Sequence, residues 1–265
     1  MWPSARTGWT WRNGRMEHPE RREHPEEGSG AVPSAERAEL RVLAPPPPRQ
    51  GNRKPILALV GPLGAGKSTA AECFARRGGA IIDGDALGHE ALRQPAIRAA
   101  VIQRWGSDLV RPDGSLDRRA LGRIVFADPA QRNALEQLVF PYIEQRLREQ
   151  IAQAQQDPRF RFVVVDAAVL LEAGWNQEVD RIIYVDAPAP LRQARLVQRS
   201  GWTQAEIAGR EAAQWPPERK RAAAHAILHN HGDREDLQRQ VDCLLQTWGL
   251  SNGGSGSTSR EPASS

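Results

Sequence analysis

Residues 61–68, GPLGAGKS, fit the pattern G-x-x-x-x-G-K-[ST] without a mismatch. The chemistry served by such a loop is the holding of a polyphosphate. Gly61, Gly64 and Gly66 allow backbone conformations and close approaches that a β-carbon would block. The loop amides and the start of a following helix then offer donors to phosphate oxygens. Lys67 can reach the β- and γ-phosphates, and the Ser68 hydroxyl suits magnesium. A site for a polyphosphate with Mg²⁺ is therefore expected over Gly61, Gly64, Ala65, Gly66, Lys67, Ser68 and Thr69. The loop alone does not separate kinase, ATPase, GTPase and switch, although no Asn-Lys-x-Asp follows a later strand.

The acids nearby narrow the choice. AIIDGDALGHE, residues 80–90, sets Asp83 and Asp85 one residue apart at the end of an apolar run. In extended chain the two would point to the same side. A carboxylate there can accept the proton of an incoming hydroxyl or hold a magnesium water. Capping a helix that starts near Ala86 is the alternative, and for Asp85 the catalytic role is preferred. Asp83 reads as a support for metal or backbone. Asp166, after three valines, reads as a strand-terminal acid for the metal's hydration shell or as a turn acid. Asp186 precedes APAP and suits a helix cap. Arg192, Arg195 and Arg199 recur at steps of three and four on one helical face. They fit either a lid that brings cations to phosphates or a solvated surface.

Short apolar runs at 55–60, 80–83, 162–166, 181–186 and 226–228 read as strands covered on both faces. Helical patterns lie between them, at 67–77, in pieces across 88–156, and at 188–199, 203–213 and 233–248. This alternation predicts an α/β fold of the P-loop NTPase kind, a parallel sheet with helices on both faces. Ligands in such sheets bind beyond the C-terminal strand ends, where Asp83, Asp166 and Asp186 all fall. Strand 80–83 is expected to run back beside strand 55–60, next to the phosphate loop.

Composition bounds the rest. The chain has 265 residues and a net charge of +4. Its arginines are scattered and matched by glutamates, without the aromatic-interleaved basic stripe of a nucleic-acid binder. Cys73 and Cys243 are far apart and suggest neither disulfide nor metal. No apolar run reaches the ~20 residues of a membrane span, and no signal-like apolar segment opens the chain. A cytoplasmic protein without nucleic-acid or membrane partners is expected. Residues 1–54, with EHPERREHPEE and a proline run, and 251–265, rich in Gly and Ser, read as disordered tails. The folded part is placed at 55–250.

The folded part resembles the dephospho-CoA kinase family from about Ile56 to Trp248. The resemblance is carried by GPLGAGKSTAAECFARRGGAIIDGD, LDRRALGRIVFADPAQRNALEQLVFPYI (116–143), VVVDAAVLLEAGW (163–175) and RLVQRSGWTQAEIAGREAAQWPPERKRAAAHAILHN (195–230). It implies ATP-dependent phosphorylation of the ribose 3′-hydroxyl of dephospho-CoA. It also implies a nucleotide core, a helical acceptor-binding insertion at about 87–157 and a lid at about 190–222. Asp85 matches the family's proposed general base, and Arg195 and Arg199 match lid arginines. A monomer or small homo-oligomer is expected. The chain departs from the family's usual residues at Val60, Phe140, Ala168, Val169, Leu171, His225 and His229. Two other functions fit the loop alone: a kinase acting on another nucleoside or small alcohol, and a non-catalytic nucleotide switch.

Overall fold

The computed structural model describes residues 10–12, 15–17, 40–44 and 53–251. The expected disorder of the proline run and of 252–265 lies outside them. The chain divides into two units, 1–37 and 38–265. In the first, β1 (Thr10–Arg12) and β2 (Arg15–Glu17) pair as a short antiparallel ribbon within the stretch read as tail.

The second unit is built on one six-stranded sheet. Its strands are β3 (Arg41–Val42), β4 (Ile56–Val60), β5 (Gly79–Asp83), β6 (Phe162–Asp166), β7 (Arg181–Asp186) and β8 (Ala226–His229). Their spatial order is β3-β8-β7-β4-β6-β5, with every pairing parallel except that of β3 with β8. The expected fold class is thus met. One neighbour relation is not: β5 pairs with β6, and β6 stands between β5 and β4. A crossover helix fixes the direction of the next strand but not which neighbour it takes. β6 has its four valine-type and aromatic core residues, Phe162 to Val165, fully buried and so fits the central place.

The strands read as apolar throughout because both faces are covered. Ile56, Ala58 and Val60 face one core layer with Leu87, Ile143 and Leu147. Leu57 and Leu59 face the other, with Phe74, Val241 and Leu244. The first layer is supplied by α2 (Gly84–Ala91) and α5 (Pro129–Gln156), the second by α1 (Lys67–Ala75) and α9 (Arg234–Thr247). Between α2 and α5, α3 (Pro95–Trp105) and α4 (Arg118–Ala127) enclose a smaller core of Val101, Leu109, Leu116, Leu121 and Val125. The expected insertion therefore has apolar packing of its own. Phe140, where the family usually has His, sits edge-on to Trp175 with ring centroids 5.2 Å apart. Beyond β7 come α6 (Ala189–Ser200), α7 (Gln204–Ala212) and α8 (Pro217–Ala222), the segment read as a lid.

Residues 40–44 differ from the expected tail. Arg41 and Val42 pair with Ile227 and Ala226, and Leu40 and Val42 pack on the second core layer. The Trp248 indole donates to the Ala44 carbonyl at 3.3 Å. The short alternation of Leu40, Val42 and Ala44 sits against a proline run and reads with the tail, yet this segment covers the open edge of β8. Removing residues 1–44 exposes that edge. The expected loss of about 1–2 kcal/mol lowers the thermal midpoint by roughly 2–8 °C in a domain of this size. Thermal melts of the full chain and the truncated chain check this, and equal midpoints would contradict it.

Candidate active site

The phosphate loop leaves β4 and enters α1 as the motif requires. Gly61, Gly64 and Gly66 have φ of 147°, 74° and 89°, values that side chains rarely adopt. Space forbids β-carbons as well. One on Gly61 would lie 2.4 Å from the Val185 carbonyl oxygen, one on Gly64 2.7 Å from that of Arg192, and one on Gly66 2.0 Å from Asn230 Nδ2. No side chain caps α1, which begins directly after Gly66. Its first-turn amides therefore keep the donor capacity and positive end that attract an anion. Lys67 Nζ donates within the loop to the carbonyls of Gly61 (3.2 Å) and Pro62 (3.3 Å). Burial holds its pKa below the usual lysine value, against the opposing charge of Asp166.

Asp166 ends β6 beside this lysine. Burial raises its carboxyl pKa, while the Lys67 charge and a hydrogen bond with Ser68 oppose the rise. Ser68 hydroxyl and Asp166 carboxylate are hard oxygen donors at a phosphate loop, a donor set that fits magnesium. Asp83 lies in register with Asp166 on the adjacent strand.

The two close acids take different conformations from the extended pair expected. α2 starts at Gly84, two residues before Ala86, so Asp83 is the cap and accepts from the Ala86 amide at 3.0 Å. Asp85 sits inside the first turn and is exposed. Gly84 makes the early start possible, because a β-carbon there would meet the Ala167 β-carbon at 2.7 Å. Asp85 is thereby relieved of capping. It remains close enough to Lys67 for its charge to raise the lysine pKa.

The arginines of α6 also divide. Arg192 donates to the Leu63 carbonyl (3.1 Å) and pairs with Glu211 (2.7 Å), tying α6 to both loop and α7. Arg195 Nη2 donates to the Asn230 carbonyl at 3.3 Å, and Asn230 Nδ2 in turn donates to the Ala65 carbonyl at 2.8 Å. The other terminal nitrogen, Nη1, is buried without a partner among the described residues and lies 3.7 Å from the place of a β-carbon on Gly66. Arg199 is exposed on the same helix, one turn farther along. The lid also grips the insertion: Arg210 of α7 is sandwiched between Phe126 and Trp202, 4.2 Å from each ring centroid.

One buried group went unassigned in the sequence. Lys220, only 1% exposed, donates to the Ala168 carbonyl (2.8 Å) and to Gln214 Oε1 (2.9 Å), and pairs with Glu172 at 2.9 Å. Glu172 also accepts from the Trp215 amide at 2.7 Å. The signal was the pair of motifs LLEAG and Gln-Pro-Lys, which spacing alone does not join. Burial lowers the Lys220 pKa, and Glu172 opposes that shift. The His225 departure has a structural reading too, since its Nδ1 accepts from the Ile182 amide at 3.1 Å, a role open to any acceptor. His229 stands with Asp186 at 3.5 Å.

Strand, glycine loop, helix and converging cations over a parallel sheet define a P-loop phosphotransferase of the small-kinase kind. The chain belongs to the dephospho-CoA kinase family, whose model matches residues 55–236. It is 39% identical over 210 residues to the dephospho-CoA kinase of Symbiobacterium thermophilum, covering 78% of this chain and 84% of that one. The crystal structure of TT1252 from Thermus thermophilus superposes with a TM-score of 0.60 at 34% identity, over 73% of this chain and 97% of that one. The dephospho-CoA kinase of Campylobacter jejuni shares the fold, with a TM-score of 0.53 at 23% identity, over 72% and 95% of the two chains. No described helix is long and apolar enough to cross a membrane.

The Glu172–Lys220 pair gives a direct test of how the lid is anchored. Glu172→Ala leaves a buried ammonium without its counter-charge, at a cost of about 3–5 kcal/mol. Glu172→Ala combined with Lys220→Met is expected to recover most of that loss in urea denaturation. A single variant as stable as the parent would contradict the buried pairing.

Proposed function

We propose that this chain transfers the γ-phosphoryl group of ATP to the ribose 3′-hydroxyl of dephospho-CoA, yielding CoA and ADP. Family membership supports the substrate pair. The observation that carries the mechanism is the freeing of Asp85, an exposed carboxylate at the head of α2 whose neighbour Asp83 takes the capping role. Asp85 orients the acceptor hydroxyl and accepts its proton as the oxygen attacks phosphorus. That attack forms the new P–O bond while the bond to the ADP oxygen breaks.

The chain's other groups manage charge. Residues 61–69 hold the phosphates through backbone amides, and Lys67 exchanges its two loop carbonyls for phosphate oxygens. Arg195 offers the unpartnered Nη1, and Arg199 adds a cation as the lid closes at about 190–222. Donors already in place toward developing charge lower the barrier without reorganisation. Ser68 would hold magnesium, with Asp166 supporting its water shell, and the ion would supply charge neutralisation at the phosphates. Asp83, committed to the Ala86 amide, is better suited to shaping α2 than to ligating metal. The helical insertion at about 87–157 receives the acceptor. The enzyme acts in the cytoplasm as a monomer or small homo-oligomer.

Asp85→Asn separates proton transfer from nucleotide binding. The expected result is an ATP affinity near that of the parent and a kcat lower by ~10²-fold or more, a general-base-sized effect. Isothermal titration and steady-state rates with dephospho-CoA check the two parts. Near-parent turnover would remove Asp85 from the role.

A further inference from the structure

The insertion forms a half-open cavity of about 450 Å³ whose lining includes His89, Arg93, Arg98, Arg111, Asp113 and Arg118. Four guanidinium groups thus face one carboxylate. Two of the four are engaged: Arg98 donates to the Gly114 carbonyl at 2.8 Å, and Arg111 bonds Asp117 at 3.2 Å. That aspartate is already occupied in capping α4 through the amides of Arg119 and Ala120. Arg93 and Arg118 line the cavity and are exposed, and their side chains make no hydrogen bond or ion pair with any described residue. Like charges gathered around a concave space repel one another, and a folded chain gains nothing from them unless an anion is received. Guanidinium forks match paired phosphate oxygens in shape as well as charge.

Position gives the anion an identity. His89 follows Asp85 by four residues and so lies on the same face of α2, about 6 Å along it. His89 also lines the cavity with Arg93 and Arg118, so the helix that carries Asp85 reaches the cavity one turn farther on. In dephospho-CoA one ribose separates the reacting 3′-oxygen from the diphosphate on the 5′-carbon. One ribose spans about one helical turn.

We infer that this cavity, through Arg93 and Arg118 with Arg98 and Arg111 behind them, binds the 5′-diphosphate of the acceptor and so sets the ribose 3′-hydroxyl against Asp85. The inference rests on the proposed acceptor. It makes the cavity the element that distinguishes a nucleoside diphosphate derivative from a plain nucleoside or small alcohol. The phosphate loop plays no part in it, so ATP binding is independent of these arginines.

The test is steady-state kinetics on Arg93→Gln/Arg118→Gln, beside Arg41→Gln/Arg76→Gln, which removes the same charge from exposed sites outside the insertion. Loss of two charge-assisted contacts is expected to raise KM for dephospho-CoA about 10- to 100-fold. KM for ATP and the thermal midpoint stay at parent values, and kcat changes less than KM. Arg93→Lys/Arg118→Lys keeps the charge without the fork and falls between. An unchanged KM for dephospho-CoA in the glutamine variant overturns the inference, as does an equal rise in the charge-matched control. A parent enzyme that does not phosphorylate dephospho-CoA overturns the functional reading itself, a result separable from both.

Discussion

The site depends on three missing β-carbons. Gly61, Gly64 and Gly66 press the phosphate loop against the end of β7, the lid helix α6 and the end of β8. In each case the nearest atom is polar: a carbonyl oxygen of Val185, one of Arg192, and the Asn230 amide nitrogen. The loop is therefore held by two strand ends and by the helix proposed as part of the lid. Asn230 bonds the Ala65 carbonyl while Arg195 bonds the Asn230 carbonyl, so strand end, loop and lid share one short chain of hydrogen bonds. A side chain at any of the three glycines would push these elements apart as well as strain the backbone.

The same economy appears on the acceptor side. A single strand-to-helix junction, Asp83-Gly84-Asp85, assigns one acid to the backbone and leaves the other exposed. Arg210 binds insertion to lid through two aromatic faces, and Lys220 binds lid to the loop after β6 through Glu172. Lys220 is buried and Arg210 half-buried. Their worth lies in joining segments far apart in sequence, because a buried charge tolerates few alternatives to its partner.

Much of this was legible in the sequence. Consecutive apolar residues marked the five parallel strands because covered strands need no alternation. The loop motif fixed its own surroundings, since a strand before it and a helix after it are what the glycines serve. Other features were hidden for physical reasons. The pairing of β5 with β6 is a choice between neighbours that local patterns do not encode. Residues 41 and 42 form an edge strand because β8 offers free hydrogen-bonding groups, which their own sequence cannot announce. Asp83 took the cap because α2 begins at Gly84, and helix boundaries are set by the close packing of that glycine on Ala167. Glu172 and Lys220 were visible as family motifs, but their mutual contact required the fold.

The central claim is that phosphate arrives on one particular oxygen, the ribose 3′-hydroxyl presented to Asp85. Phosphorus and proton NMR of the product formed from ATP and dephospho-CoA reads this directly. The account predicts a single new phosphomonoester coupled to the ribose 3′-proton, formed in step with ADP. A phosphate at another position, or ADP released with dephospho-CoA unchanged, would contradict it.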